Sequence, residues 1–203
     1  MSQKRMVGEE RSRAILAAAL DLFAHKSDRG VTTAEIARAA GVSEALVFKH
    51  FPDKESLYRA ILEDTIHEAE SALPFDAALR TLDDEAFFHR LAASILSRVE
   101  ADDRFLRLLL ASALEGHDLA RKFHRARVEK LLAAIEERLR SRGLPHPGGV
   151  DPALAARAFH GMIFAALLAR HVFREPVAAA TSVDAWAATL ARIFLHGIGV
   201  SEA

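Results

Sequence analysis

Ten histidines stand in a chain of 203 residues that contains no cysteine. Imidazoles hold metals and move protons, so their spacing is the first chemical question. His117 and His124, seven apart, could share a helical face, but no carboxylate or third histidine completes an HExxH-like set. Glu115-Gly116-His117-Asp118 reads as a helix start rather than a catalytic triad. The chain has no GxSxG, no Walker A and no GxGxxG motif. Without thiols, disulfides and cysteine-based zinc or redox chemistry are excluded, which fits a reducing compartment. The expectation is a protein that is no enzyme and needs no cofactor and no metal.

A second group of residues points to recognition. The stretch "EIARAAGVSEALVFKHF" begins as a helix, breaks at Gly41 and restarts behind Ser43. Thr32, with Glu35 three residues later, forms a capping box that opens the first helix. Gly41 suits a left-handed stop, Ser43 is a good N-cap, and Pro52 disfavours helical geometry at Phe51. A capped helix, a glycine turn and a capped helix of about two turns make a helix-turn-helix spacing, whose second helix fits a DNA major groove. On a helical wheel Val42, Val47 and Phe51 point inward, while Glu44, Ala45, Phe48 and Lys49 point outward. An exposed phenylalanine beside a lysine suits a sugar-phosphate edge or a thymine methyl better than water.

The elements that must position these residues are all helical, because no period-two run or hairpin dipeptide occurs. Helices are expected over 9–25, from 32, from 43, over 53–72, 84–100, 103–114, 118–142, 151–174 and 182–196. Helix 1 carries its stripe on Ile15, Ala18, Ala19, Leu22 and Phe23. Helix 7 carries one on Val128, Leu131, Leu132, Ile135 and Leu139, and "GLPHPGG" after it is a loop. The segment 154–173 is apolar nearly all round, yet Arg157, His160, Arg170 and His171 interrupt the roughly 20 apolar residues that a membrane span requires. It reads as a buried helix, and no membrane partner is expected. A helix apolar on every side buries more than one face, and a second subunit can cover the outer one. Gly161, Ala165 and Ala169 would allow close helix approach there, although a central helix of a monomeric bundle would show the same pattern.

Composition sets the frame. The chain is 51% hydrophobic and 27% charged with a net charge of −1, enough apolar content for a sizeable core. Residues 1–60 hold ten Lys/Arg against eight Asp/Glu, a slight basic tilt compatible with a small DNA-binding head on a neutral body. The N-terminal "MSQKRMVGEERSR" has no apolar stretch, so no secretory signal is expected and the location is expected to be cytoplasmic.

The segments "AILAAALDLF" and "TTAEIARAAGVSEALVFKHFPDKESLYRAIL" resemble the TetR family of bacterial transcriptional repressors, strongly over about residues 11–62. The resemblance implies an all-α fold. A DNA-binding domain covers residues 1–52, an effector-binding and dimerisation domain covers 53–203, and the helix at about 53–72 connects them. It places Thr33 near a phosphate, and Glu44, Ala45, Leu46 and Lys49 at base edges or backbone. Phe48 and His50 would approach the backbone, and Lys54 would contact phosphate at a helix N-terminus. Ser43, at the start of the reading helix, is counted with them, and Arg11 and the Lys4–Arg5 arm could add contacts. Phe48 stands where the family usually has tyrosine, Ala45 where glycine is common, and Ser27 where a turn glycine is usual. Glu44 has two readings: acceptor for a cytosine N4 amine, or a charge favoured at a helix N-terminus.

Beyond the head, Phe87, Leu91 and Ile95 join Phe88, Phe105, Leu109, Phe123, Phe159 and Phe164 as lining for an apolar effector. His89, Arg107, His124 and Arg127 are its candidate polar anchors; ordinary core packing is the competing reading of each residue. The dimer candidates are Phe159, Met162, Ala165, Ala166 and Ala169 on one helix and Trp186, Leu190, Ile193 and Phe194 on the next. The expected function is a homodimeric repressor, released from a palindromic double-stranded DNA operator by a small, hydrophobic effector. The alternatives are the same DNA-binding fold without an effector, and a helical small-molecule-binding protein or enzyme.

Overall fold

The computed structural model describes residues 8–26, 30–72, 81–116, 118–143 and 149–197, and among these no strand occurs. The Lys4–Arg5 arm, Ser27, His117 and most of the "GLPHPGG" loop lie outside the described residues. The helices are α1 (Gly8–His25), α2 (Thr33–Ala40), α3 (Glu44–His50), α4 (Lys54–Ala72), α5 (Asp84–Ala101) and α6 (Arg104–Leu114). There follow α7 (Leu119–Phe123), α8 (Glu129–Ser141), α9 (Pro152–Leu167), α10 (Pro176–Ala180) and α11 (Val183–Gly197).

Two compact units divide the chain. The first comprises residues 8–68 and 104–123 of the described chain. Its core holds Ile15, Ala19 and Phe23 of α1, the inward edge of the stripe expected there. Val31, Ile36 and Ala37 come from α2 and its approach, Val47 and Phe51 from α3 and its end. Phe23 stacks on Tyr58 with ring centroids 4.6 Å apart and planes 13° apart. This unit reaches beyond residue 52, the expected end of the DNA-binding head, because Leu57, Tyr58, Ile61 and Leu62 of α4 and Leu108 and Leu119 are buried in the same core.

The second unit comprises residues 69–103 and 124–197 of the described chain. Here α5 packs on α11, and α9 packs on α5, α8 and α11. Asp83 and Asp151 cap α5 and α9 by accepting the N–H groups of Ala86 (2.7 Å) and Ala153 (2.7 Å). Phe88, Phe159 and Phe194 form a triangle of rings with every centroid separation 4.9 Å. Arg138, nearly buried, donates to Asp84 at 2.7 Å and to the Leu82 carbonyl, with its guanidinium over the Phe87 ring.

Three local features depart from the expected helices. The helix expected over 118–142 is interrupted by a π turn at His124–Val128. That expected over 151–174 ends in a second π turn at Leu168–Val172, followed by Arg174 in a left-handed conformation (φ 52°). The short α10 was not expected at all. Pro152–Val172 is long and apolar enough in composition to cross a membrane. Its inner face is nevertheless occupied by α5, α8 and α11, and Arg170 near its end pairs with Glu100 and donates to the Ala178 and Thr181 carbonyls.

Candidate nucleic-acid interface

The interface is built on three successive helix starts. At the first, the capping box closes in both directions: Thr32 Oγ1 accepts the Glu35 N–H (3.2 Å) and Glu35 Oε2 accepts the Thr32 N–H (3.0 Å). The other Glu35 oxygen accepts from Lys26 Nζ at 2.7 Å. The lysine, helped by the Thr32 N–H, lowers the Glu35 carboxyl from 4.5 to about 2. A lowered folded-state value means that the ionised form stabilises the native state. That contribution is complete above pH about 4.5 and is lost as pH falls towards about 2. Thermal melts of wild type and Glu35→Gln should therefore differ by a constant amount above pH 4.5 and converge between pH 4.5 and about 2. A gap that persisted at the acid end would mean that ionisation is not its source.

Gly41 ends α2 at φ 68°, a conformation that costs a residue with a Cβ far more. Its N–H and that of Val42 return to the last carbonyls of α2, Val42 to Ala37 at 3.0 Å. Two residues later Ser43 Oγ accepts the Leu46 N–H at 3.3 Å and opens α3. The third start repeats the device, with Asp53 Oδ1 accepting the Ser56 N–H at 2.7 Å ahead of Lys54, the first residue of α4.

These caps fix which face of α3 turns outward. Val47 is fully buried and Phe51 nearly so, anchoring the helix to the core. Ser43, Glu44, Ala45 and Lys49 are exposed, and Phe48 leaves 47% of its surface in water. Leu46 and His50 are half-buried at the edges of that face, as are Thr33 and Lys54 at the starts of α2 and α4. One contact had no signature in the sequence. The Thr33 hydroxyl donates to Glu44 Oε1 at 2.6 Å, joining the starts of α2 and α3. The two residues lie on different helices, so neither helical period predicts that they meet.

The effector candidates separate into groups. Phe88 and Phe159 are fully buried in the ring triangle with Phe194. Phe105 and Phe123 meet each other edge to face at 5.1 Å in the first unit, where Leu109 is half-buried. His89 Nε2 lies 3.0 Å from Asp184, and Phe164 stacks on His160. Burial lowers the affinity of the His160 imidazole for a proton, and the charge of His124 lowers it further. His124 is exposed, its Nδ1 3.8 Å from Glu129, whereas Arg127 in the same π turn is buried. Among the described residues no group of three or more His, Asp or Glu is placed to hold a metal.

The dimer candidates divide by exposure. Phe159, Ala166, Leu190 and Phe194 are buried inside their own unit and offer no surface to a partner. Ala165 and Ile193 are exposed, and Met162, Ala169 and Trp186 are half-buried. The exposed face of α9 runs through Leu154, Ala158, Gly161 and Ala165, the spacing of one side of a helix.

Two short helices joined through a left-handed glycine, the second anchored by Val47 and Phe51 and presenting its other face, define a helix-turn-helix DNA-binding regulator. Residues 15–61 match the tetR family of bacterial regulatory proteins. Over 144 residues the chain is 28% identical to the nucleoid occlusion factor SlmA of Marinomonas sp., covering 69% of this chain and 68% of that protein. Over 131 residues it is 31% identical to an HTH-type transcriptional repressor of Mycobacterium tuberculosis, covering 64% of this chain and 61% of that protein. The crystal structure of a TetR-family transcriptional regulator from Mesorhizobium loti superposes with a TM-score of 0.68 at 26% identity, covering 96% and 98% of the two chains. Residues 15–61 thus form a DNA-binding domain of the tetR family, and the chain as a whole is similar to TetR-family transcriptional regulators.

Proposed function

We propose that the protein is a cytoplasmic, homodimeric repressor that reads a palindromic operator with α3 and leaves it when a small apolar effector binds. The observation that carries the DNA-reading part is the outward face of α3, where Phe48 stays exposed beside Lys49 while Val47 and Phe51 hold the helix to the core. Exposed Leu154, Gly161, Ala165 and Ile193 on α9 and α11 support a second copy as the cover of that side, and a two-fold axis makes the half-sites of an operator palindromic. In this reading an effector binds better to a state in which the two heads are wrongly spaced, and α4 transmits the change. Thr33, Ser43, Glu44, Ala45, Leu46, Phe48, Lys49, His50 and Lys54 are the proposed DNA-facing set.

Gel-shift titration tests the assignment. Lys49→Ala should change affinity or base preference. Lys54→Ala should weaken binding about equally on all sequences and lower the salt slope by about one. If both variants bind as the wild type does, α3 is not the reading helix.

A second reading keeps the DNA-binding fold and drops the small molecule. It is favoured by the packing of Phe88 and Phe159 against Phe194, which turns two effector candidates into core, and by the likeness to a nucleoid occlusion factor. A thermal-shift screen with apolar compounds separates the two. Stabilisation by a compound that also releases DNA supports the effector reading, and its absence across the screen supports the second.

A further inference from the structure

Thr33 and Glu44 satisfy each other in the free protein, the hydroxyl donating to the carboxylate at 2.6 Å. A threonine hydroxyl has one proton to donate, and an ionised carboxylate can only accept. While Glu44 takes that proton, Thr33 has none for a phosphate oxygen. Once Thr33 gives its proton to a phosphate, Glu44 loses its donor at a surface that DNA is dehydrating, and an unsatisfied carboxylate there is costly.

We propose that Glu44 is a specificity-determining residue acting by partner exchange: Thr33 turns its hydroxyl to a phosphate, and Glu44 accepts the N4 amine of a cytosine in its place. The inference rests on α3 lying in a major groove. In that groove guanine presents two acceptors and thymine an acceptor and a methyl group. Adenine has an amine, but its N7 acceptor lies beside it and repels a carboxylate. On cytosine's own ring the neighbour of the amine is a C5–H, not an acceptor, so a carboxylate can approach from that side. The exchange thereby ties a contact that carries no sequence information to one that does. On any other base the protein either strands Glu44 or keeps Thr33 from its phosphate.

The test is selection of bound sequences from random double-stranded DNA by the full chain as wild type, Glu44→Ala, Glu44→Gln and Thr33→Val. Glu44 is exposed, so its variants leave the buried core untouched, and a thermal melt of each checks that the loss of the Thr33 bond has not unfolded the head. Wild type should select cytosine at one position of each half-site. Glu44→Ala should reduce that preference from about tenfold to under about twofold, leaving the other positions intact. Glu44→Gln should move it to adenine, whose N6 and N7 match an amide. Thr33→Val should retain cytosine and weaken binding to all sequences alike. A bracing role alone would not move base identity. Unchanged preference in both Glu44 variants overturns the exchange and leaves DNA binding standing. If the wild type recovers no sequence, the DNA-binding reading falls and takes this inference with it.

Discussion

Phe88→Ala is expected to lower the unfolding free energy by about 3–5 kcal/mol, the range for deleting a fully buried aromatic side chain. Phe88 has no exposed surface, and its ring meets Phe87 at 5.1 Å and Phe159 and Phe194 at 4.9 Å each. Each such ring pair contributes about 0.5–1.5 kcal/mol beyond its buried area. The three aromatic side chains around it have little means of collapsing into the space an alanine would open. Denaturant titration measures the loss, with the slope m unchanged if only packing is affected. A loss below about 1 kcal/mol would show that the site tolerates truncation, as a ring lining an open cavity does, and would return Phe88 to the effector candidates.

The second large effect is expected at Phe23. It is 2% exposed and stacks on Tyr58, tying α1 to α4 beneath the reading helix. Phe23→Ala should again cost about 3–5 kcal/mol, here within the unit that holds α2 and α3. DNA binding should then be lost at a lower temperature than in the wild type, with none of the proposed DNA-facing residues changed. A thermal melt and a gel shift over the same temperatures check this. An unfolding transition equal to that of the wild type would show that the Phe23–Tyr58 stack is dispensable.

The parts of the interface legible in the sequence are those whose causes are local. Thr32 with Glu35, Gly41 and Ser43 act within four residues of themselves, and each occupies its expected cap or turn. The inward and outward faces of α3 followed from its period alone. Contacts that cross between elements left no such trace. The Thr33–Glu44 bond, the Arg170–Glu100 pair between residues 70 apart and the ring triangle all depend on how helices meet. This is also why aromatic composition suggested a pocket where the rings fill space against one another. The π turn at His124–Val128 is an intermediate case. The apolar stripe steps from Leu119 to Phe123 by four residues and then to Val128 by five, and that longer step marks the extra residue in the turn.

The core of the first unit has an order of completion. Leu108 and Leu119, each 1% exposed, are buried with residues from α1 to α4. The ribosome delivers the chain from its N-terminus, so the DNA-reading helices emerge well before the last pieces of their own core, with the whole of α5 made in between. A nascent chain ending at residue 62 contains every proposed DNA-facing side chain, yet the apolar surface that Leu108 and Leu119 will cover is still open to water. That surface is available to chaperones, or to another nascent head, until residue 119 has left the exit tunnel. The core that supports α3 is thus completed late in synthesis, although α3 itself is among the first segments made.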